Sequence, residues 1–275
     1  MKTIYMVDPD NFGVSYTINP WMNGNIGKVD APLANQQWKS LFTILCQLGV
    51  DVRVFKSQPG LPDATFVANA GLLCHSLLLP SQFRYEERAA EEDMFAQAYV
   101  KDGCLVADNW LSGDRAVESF EGAGDALFSA DRKVLWVGTG FRTTPGISRP
   151  LSRYVTSQII ELELVDPRFY HLDTCFCPLD TGVLLWYPAA FSRSSREKVA
   201  EVHTGGFIEV DAATALQFAC NAVSVGNAVV LPLVDGHLVE DLQALGHQVF
   251  TADMSEFMKA GGACKCLTLE NVRLL

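Results

Sequence analysis

The sequence predicts an α/β fold in a single domain spanning residues 1–275, on three observations. Segments with strand and helix patterning alternate from end to end, and all are short. No Pro-, Gly- or Ser-rich linker divides the chain. A unit of strand, loop with a polar motif, strand, helix and strand recurs at roughly fifty residues, with room for about five copies. The copies resemble one another only faintly, and periodicity alone does not separate a radial arrangement of them from a doubly wound sheet.

Taken in order, Lys2 to Val7 reads as the first strand. Asp8 to Pro32, rich in Asn, Gly and Pro, reads as a long ordered loop, because Ile18-Asn19-Pro20-Trp21-Met22 is too apolar for disorder. Ala34 to Leu48 is helical: Trp38, Leu41, Phe42, Leu45 and Leu48 fall three or four residues apart, and Gly49 stops the helix. Val50 to Phe55 and Leu72 to Leu79 read as strands, with a turn from Pro62 and the run Thr65 to Asn69 between them. Tyr85 to Val100 is a charged helix whose Glu86 and Glu87 suit the helix dipole. Strands follow at Cys104 to Ala107, after Phe120-Glu121-Gly122-Ala123-Gly124-Asp125, and at Val134 to Val137. Leu151 to Leu162 is expected as a helix and Leu162 to Val165 as a strand. Strand Val183 to Tyr187, helix Ser192 to Val202, strand Phe207 to Val210 and helix Ala212 to Cys220 continue the alternation. Strand Ala228 to Leu231, helix Gly236 to Leu245, strand Gln248 to Thr251, a short helix at Ser255 to Lys259 and a last strand from Leu267 complete it.

The formal net charge of −11 excludes nucleic acid as a natural partner, since phosphate binding needs a basic patch. It mildly favours a cationic small molecule, although solubility explains it equally well. The longest apolar run, Gly71 to Pro80, is interrupted by His75 and Ser76 and is too short to cross a membrane. No apolar export segment follows Met1-Lys2, so the eight scattered cysteines are expected as free thiols in a reducing cytoplasm. Cys175-Phe176-Cys177 and Cys264-Lys265-Cys266 are CxC pairs, whereas zinc sites use CxxC spacing, so no metal is expected.

Four segments place polar groups at strand ends or turns among apolar neighbours: Asn69, Glu121 with Asp125, His171 with Asp173, and Cys266. Strand ends are rigid mounts from which such groups can converge. Each has a plain reading alone: a turn carboxylate, a satisfied core histidine, a small buried thiol. Together they make up what an activated thiol requires, namely a nucleophile, an acid/base and carboxylates to hold a cation. Gly261 and Gly262 before the cysteines allow a tight turn or a close approach.

Five motifs carry a resemblance that spans essentially the whole chain. They are Asn19-Pro20-Trp21-Met22, Pro62-Asp63 with Ala68-Asn69-Ala70-Gly71, Phe120 to Asp125, Phe169-Tyr170-His171-Leu172-Asp173-Thr174 on to Pro178, and Ala260 to Leu269. The chain resembles the guanidine-modifying amidinotransferase superfamily of arginine deiminases, dimethylargininases and glycine amidinotransferases. Within it, the likeness is nearest to the arginine dihydrolase domain of cyanobacterial arginine-guanidine-removing enzymes, which carry a second, ornithine-processing domain. The resemblance implies a five-bladed α/β propeller, or pentein, with pseudo-fivefold ββαβ units around a central active-site channel. It puts the nucleophile at Cys266 and not Cys264, the catalytic histidine at His171, and guanidinium-holding carboxylates at Glu121 and Asp173. Asn69 falls where deiminases carry Asp, and Asn19 and Asn69 match asparagines associated with dihydrolases. Arg88 and Arg142 fall where the substrate's α-carboxylate is held, and Asp63 and Asp125 look like supporting carboxylates. Cys264 departs from the usual pattern, as a bystander or a thiol partner of Cys266.

The resemblance implies hydrolysis of free L-arginine through a covalent thiouronium intermediate, with a charged His171 favouring the Cys266 thiolate and no cofactor. The expected end products are ornithine, two ammonia and carbon dioxide, with arginine deiminase, dimethylargininase and a non-catalytic arginine-binding module as alternatives. A homo-oligomer and a separate ornithine-processing enzyme are the partners it suggests besides the small-molecule substrate.

Overall fold

The computed structural model describes residues 1–111, 113–115 and 117–273. β1 (Thr3–Val7) and β2 (Asp51–Phe55) pair in parallel, joined by the helix Ala31–Gln47. That helix starts where Asp30 accepts the Leu33 N–H and Pro32 occupies the first turn, and it buries Trp38, Leu41 and Leu45 along one face.

Four further sheets repeat one plan. β3 (Gly71–Cys74), β4 (Leu77–Pro80) and β5 (Leu105–Val106) form one of them. β6 (Ala126–Phe128), β7 (Val134–Thr139) and β8 (Gln158–Glu163) form the next. β9 (Phe176–Pro178), β10 (Leu184–Trp186) and β11 (Phe207–Glu209) follow, then β12 (Val223–Val225), β13 (Ala228–Pro232) and β14 (Gln248–Ala252). In each, the leading strand is antiparallel to the central one, and the third lies parallel to it on the far side. Parallel pairing needs a crossover, which is the reason each third strand is preceded by helix or turn. The sheet of β1 and β2 lacks a leading strand from its own neighbourhood. β15 (Leu269–Glu270) supplies it from the other end of the chain, with Tyr5 opposite Leu269 and Ile4 opposite Glu270. The result is a five-bladed propeller of ββαβ units around a channel, as the resemblance implied.

Several local expectations are corrected. Leu72 to Leu79 is a hairpin and not one strand, reversing at His75 and Ser76, which take left-handed φ values of 50° and 61°. The helix expected over Leu151 to Leu162 is a single turn, Ser148–Leu151, followed by β8. The β-branched Val155, Thr156, Ile159 and Ile160 disfavour helix, and six-residue parallel pairing of β8 with β7 decides the outcome. Ala212 to Cys220 is one helical turn, Ala212–Ala215, and then irregular backbone. Thr65 to Asn69 lies within two 3-10 turns, Pro62–Thr65 and Val67–Ala70. The last strand starts at Leu269 and not at Leu267, so Cys266 sits in a turn three residues before β15.

A turn precedes each leading strand, and Asn69, His171 and Cys266 from three of these turns line one cavity. Those turns carry Asn69, then Glu121 to Asp125, then His171 to Asp173, then Asn221, then Cys266. Among the described residues no helix is long and apolar enough to cross a membrane.

Closing the ring through β15 makes a specific demand on Leu269, which is 1% exposed. Leu269→Ala should lower unfolding free energy by about 2–4 kcal/mol in urea titrations, the usual cost of emptying a buried leucine site. Leu245→Ala, at a position 60% exposed, should change it by no more than about 0.5 kcal/mol.

Candidate active site

The turns before β3, β9 and β15, with the loop before the helix Ala31–Gln47, enclose a cavity of about 260 Å3. Cys266, His171, Asn69, Asp63, Arg88, Arg142 and Asn19 all reach its wall. Glycine makes this approach possible. Gly261 has φ of +90°, and a Cβ there would lie 2.7 Å from the Tyr170 hydroxyl. A Cβ on Gly262 would run into the Phe66 ring at 2.5 Å, and one on Gly124 would occupy the place of the Asn69 amide.

Cys266 is buried, and its thiol donates to Asp173 Oδ2 at 3.3 Å. Burial pushes that thiol well above its ordinary range, and the Asp173 carboxylate adds to the effect. Burial likewise raises Asp173 to about 7 against the opposing charge of Lys265. Asp173 Oδ1 is buried without a protein partner, and so is Asp63 Oδ1. The second oxygen of Asp63 accepts the Tyr16 hydroxyl at 2.9 Å. Two open carboxylate oxygens at a buried site are uncompensated acceptors, which a cation would satisfy.

Glu121 has no such opening. Its Oε1 accepts the Arg84 N–H at 3.1 Å, and its Oε2 takes both Arg142 Nη1 at 3.0 Å and His171 Nε2 at 2.8 Å. Burial raises the Glu121 carboxyl, but Arg142 and His171 outweigh it and hold it well below the usual range. The ionised carboxylate only accepts, so Nε2 carries the imidazole proton and Nδ1 is the lone-pair nitrogen. The Glu121 side chain thus orients His171, and both of its oxygens already accept hydrogen bonds from protein. Burial and the nearby guanidiniums Arg142 and Arg88 lower His171 to about 4 in spite of Glu121. The imidazole is therefore neutral near pH 7, in contrast to the expectation that a charged His171 favours the Cys266 thiolate.

Arg142 lies between the rings of Tyr85 and Tyr170, 4.7 and 4.6 Å from their centroids, and donates to the Ile18 carbonyl. Among the described residues, its Nε and one hydrogen on each terminal nitrogen make no hydrogen bond. Arg88 is more fully engaged. Glu91 takes its Nε and Nη2 at 3.0 and 2.7 Å, the Asp63 carbonyl takes Nη2, and Asn69 Oδ1 takes Nη1 at 2.9 Å. Asn69 also donates to the Glu121 carbonyl, so its oxygen is fixed toward Arg88. Asn19 caps the turn Pro20–Met22 through Oδ1 and ties it to the Ala260 carbonyl through Nδ2. Asp125 does not reach the cavity. It accepts Thr143 Oγ1 at 2.7 Å and the Leu172 N–H at 3.0 Å, which braces the His171 turn from behind.

Asn221 was missing from the sequence-based set. Its Nδ2 lies 3.1 Å from Cys266 Sγ and 2.9 Å from the Asp173 carbonyl, and its Oδ1 accepts three N–H groups of the Cys266 turn. The signal that could have found it is register: Asn221 stands two residues before β12, as Asn69 stands two before β3. Cys264 is fully buried in the apolar core. Among the described residues no group of three or more His, Cys, Asp or Glu is arranged to hold a metal.

Residues 20–273 match the family described as eukaryotic N,N dimethylarginine dimethylhydrolase. The chain is 41% identical to the bifunctional arginine dihydrolase/ornithine cyclodeaminase ArgZ of Synechocystis, over 97% of its own length but only 37% of that protein. It is 36% identical to the N(G),N(G)-dimethylarginine dimethylaminohydrolase of Mycobacterium tuberculosis, over 96% of this chain and 84% of the relative. Among solved structures, the N-terminal domain of ArgZ superposes with a TM-score of 0.95 at 39–40% identity and full coverage of both chains. One of those structures holds substrate, and another a covalently bound reaction intermediate.

The lowered His171 has a direct consequence. In NMR spectra of protein labelled at histidine, its imidazole should stay neutral from pH 8 down to about 5, with Nε2 protonated. An imidazolium signature at pH 7 in the empty protein would contradict the arrangement.

Proposed function

The chain belongs to the N,N-dimethylarginine dimethylhydrolase family, and on that premise we propose that it is a cysteine hydrolase of free L-arginine, acting as an arginine dihydrolase. The observation that carries this reading is the cavity itself, where a buried thiol stands beside a carboxylate with an open oxygen and a neutral imidazole lines the same wall. A guanidinium offers planar N–H edges that suit the open oxygens of Asp173 and Asp63. The unspent N–H groups of Arg142 suit an α-carboxylate, with the remaining Nη1 hydrogen of Arg88 beside them. The substrate- and intermediate-bound ArgZ domains support the same chemistry at this level of similarity.

Arrival of the cation offsets what holds the thiol protonated, and the proton leaves Cys266 for neutral His171. The thiolate attacks the guanidinium carbon and a C–S bond forms. His171 then returns its proton to the departing ammonia, which leaves a thiouronium. Water activated by His171 releases the thiol and citrulline. A second attack on the ureido carbon expels the second ammonia, and hydrolysis gives a carbamate that loses carbon dioxide to yield ornithine. The whole balances as arginine and two waters to ornithine, two ammonia and carbon dioxide. A separate ornithine-processing enzyme would take the product onward, and a reducing cytoplasm suits the free thiols.

Dimethylargininase is the second reading, favoured by the family match and the mycobacterial relative. It would release dimethylamine from dimethylarginine. Arginine deiminase would stop at citrulline.

Product analysis on arginine decides among these. Two ammonia per arginine with no lasting citrulline is the expected result, and a ratio of one would replace dihydrolase with deiminase. Asn69→Asp should lower that ratio toward one and release citrulline, because a carboxylate there favours the cationic guanidinium over the uncharged ureido group. Cys266→Ser should abolish turnover, whereas Cys264→Ser should keep at least about a tenth of it, since only the first removes the nucleophile.

A further inference from the structure

Four of the five turns before the leading strands hold groups the sequence reading had singled out, and the fifth holds Asn221. The orientation of its amide is fixed by its surroundings. Oδ1 accepts the N–H groups of Ala263 at 3.1 Å, Lys265 at 2.9 Å and Cys266 at 3.2 Å. Three donors cannot face an NH2 group, so the oxygen must lie on the Cys266 turn and the nitrogen must lie opposite. There the nitrogen spends one hydrogen on the Asp173 carbonyl at 2.9 Å and the other on Cys266 Sγ at 3.1 Å. Asn221 is wholly buried, and no water is needed to complete its bonding.

The backbone leading into this residue is strained. Phe218 adopts φ of +60°, a left-handed conformation that costs a bulky side chain, and its carbonyl takes the Asn221 N–H at 2.8 Å. Phe218 is held by burial and by the Trp21 ring at 4.6 Å. The fold therefore maintains an unfavourable turn at the place that delivers Asn221 to the thiol.

We propose that Asn221 is a catalytic residue: its amide N–H stabilises the anionic sulfur of Cys266, both as attacking thiolate and as the sulfur released from each covalent intermediate. This deepens the hydrolase reading and rests on Cys266 as its nucleophile. The other side-chain contact of Sγ is the Asp173 carboxylate, which opposes a negative charge on sulfur. The neutral Asn221 donor, together with the backbone N–H of Ala263, stabilises that charge and adds none of its own. The same amide also fixes the Cys266 backbone, so one side chain contributes to both the position and the charge of the nucleophile.

Asn221→Asp keeps an oxygen for the three N–H groups and removes the donor to sulfur. Asn221→Ser removes the donor without adding charge. The primary measurement is the pH profile of Cys266 alkylation by iodoacetamide, read on the Cys266 peptide by mass spectrometry in protein without arginine. It does not depend on which guanidine compound is the substrate, so its outcome is separate from the success of the dihydrolase reading. The alkaline limb should move up by at least one pH unit in the folded variants. Where the protein turns over arginine, kcat should fall at least tenfold with KM changed by less than threefold. A folded variant that keeps the parent's alkylation profile, or its kcat, overturns the proposal. Failure of both variants to fold overturns it too, by making the role of Asn221 structural.

Discussion

The backbone pairing of β1 with β15 is the constraint on which everything else depends. Two residues near the end of the chain complete a sheet begun by its first seven. Without that pairing the first sheet would have two strands and the ring would stay open. The turn bearing Cys266 precedes β15 directly, so the contact that closes the fold also sets the nucleophile. The Ala68 N–H bonds the Cys266 carbonyl at 3.1 Å, which ties the turn carrying Asn69 to the one carrying the thiol. Non-local pairing of this kind is slow to form and strongly specified once formed.

Within the ring, the electrostatics centre on buried acidic groups. Arg142 pairs with Glu121 and Arg88 pairs with Glu91. What remains is the Asp173 carboxyl, the Asp63 carboxyl and a thiol, all raised by burial. A planar cation satisfies the open oxygens and favours deprotonation of the sulfur. In the proposed mechanism, recognition and activation are thus one event, in which binding energy goes into creating the nucleophile and not only into holding the ligand.

The sequence made the alternation of strand and helix legible, and the motifs named the thiol, the imidazole and the carboxylates correctly as neighbours. It could not show the division of labour among them. Glu121 and Asp173 look alike as sequence, yet one has both oxygens occupied and the other has one open, and only packing distinguishes these. Arg88 and Arg142 look equivalent too, until Glu91 is seen to take most of one guanidinium. Leu151 to Leu162 was misread because its leucines and isoleucines match helical spacing, while parallel pairing with β7 selected a strand. Asn221 was invisible because a lone asparagine after an apolar stretch carries no motif, and its meaning comes only from the fivefold register.

A nucleophile that exists as a buried thiol until a cation arrives is also guarded against chemistry it does not need. Peroxide reacts with thiolates, not with protonated sulfur, and Cys266 is 3% exposed and donates its proton to Asp173. An enzyme resting in this form would carry its most reactive atom through oxidising episodes largely intact. Vulnerability to oxidation would then rise with substrate occupancy, because the guanidinium that prepares the sulfur for catalysis prepares it equally for damage.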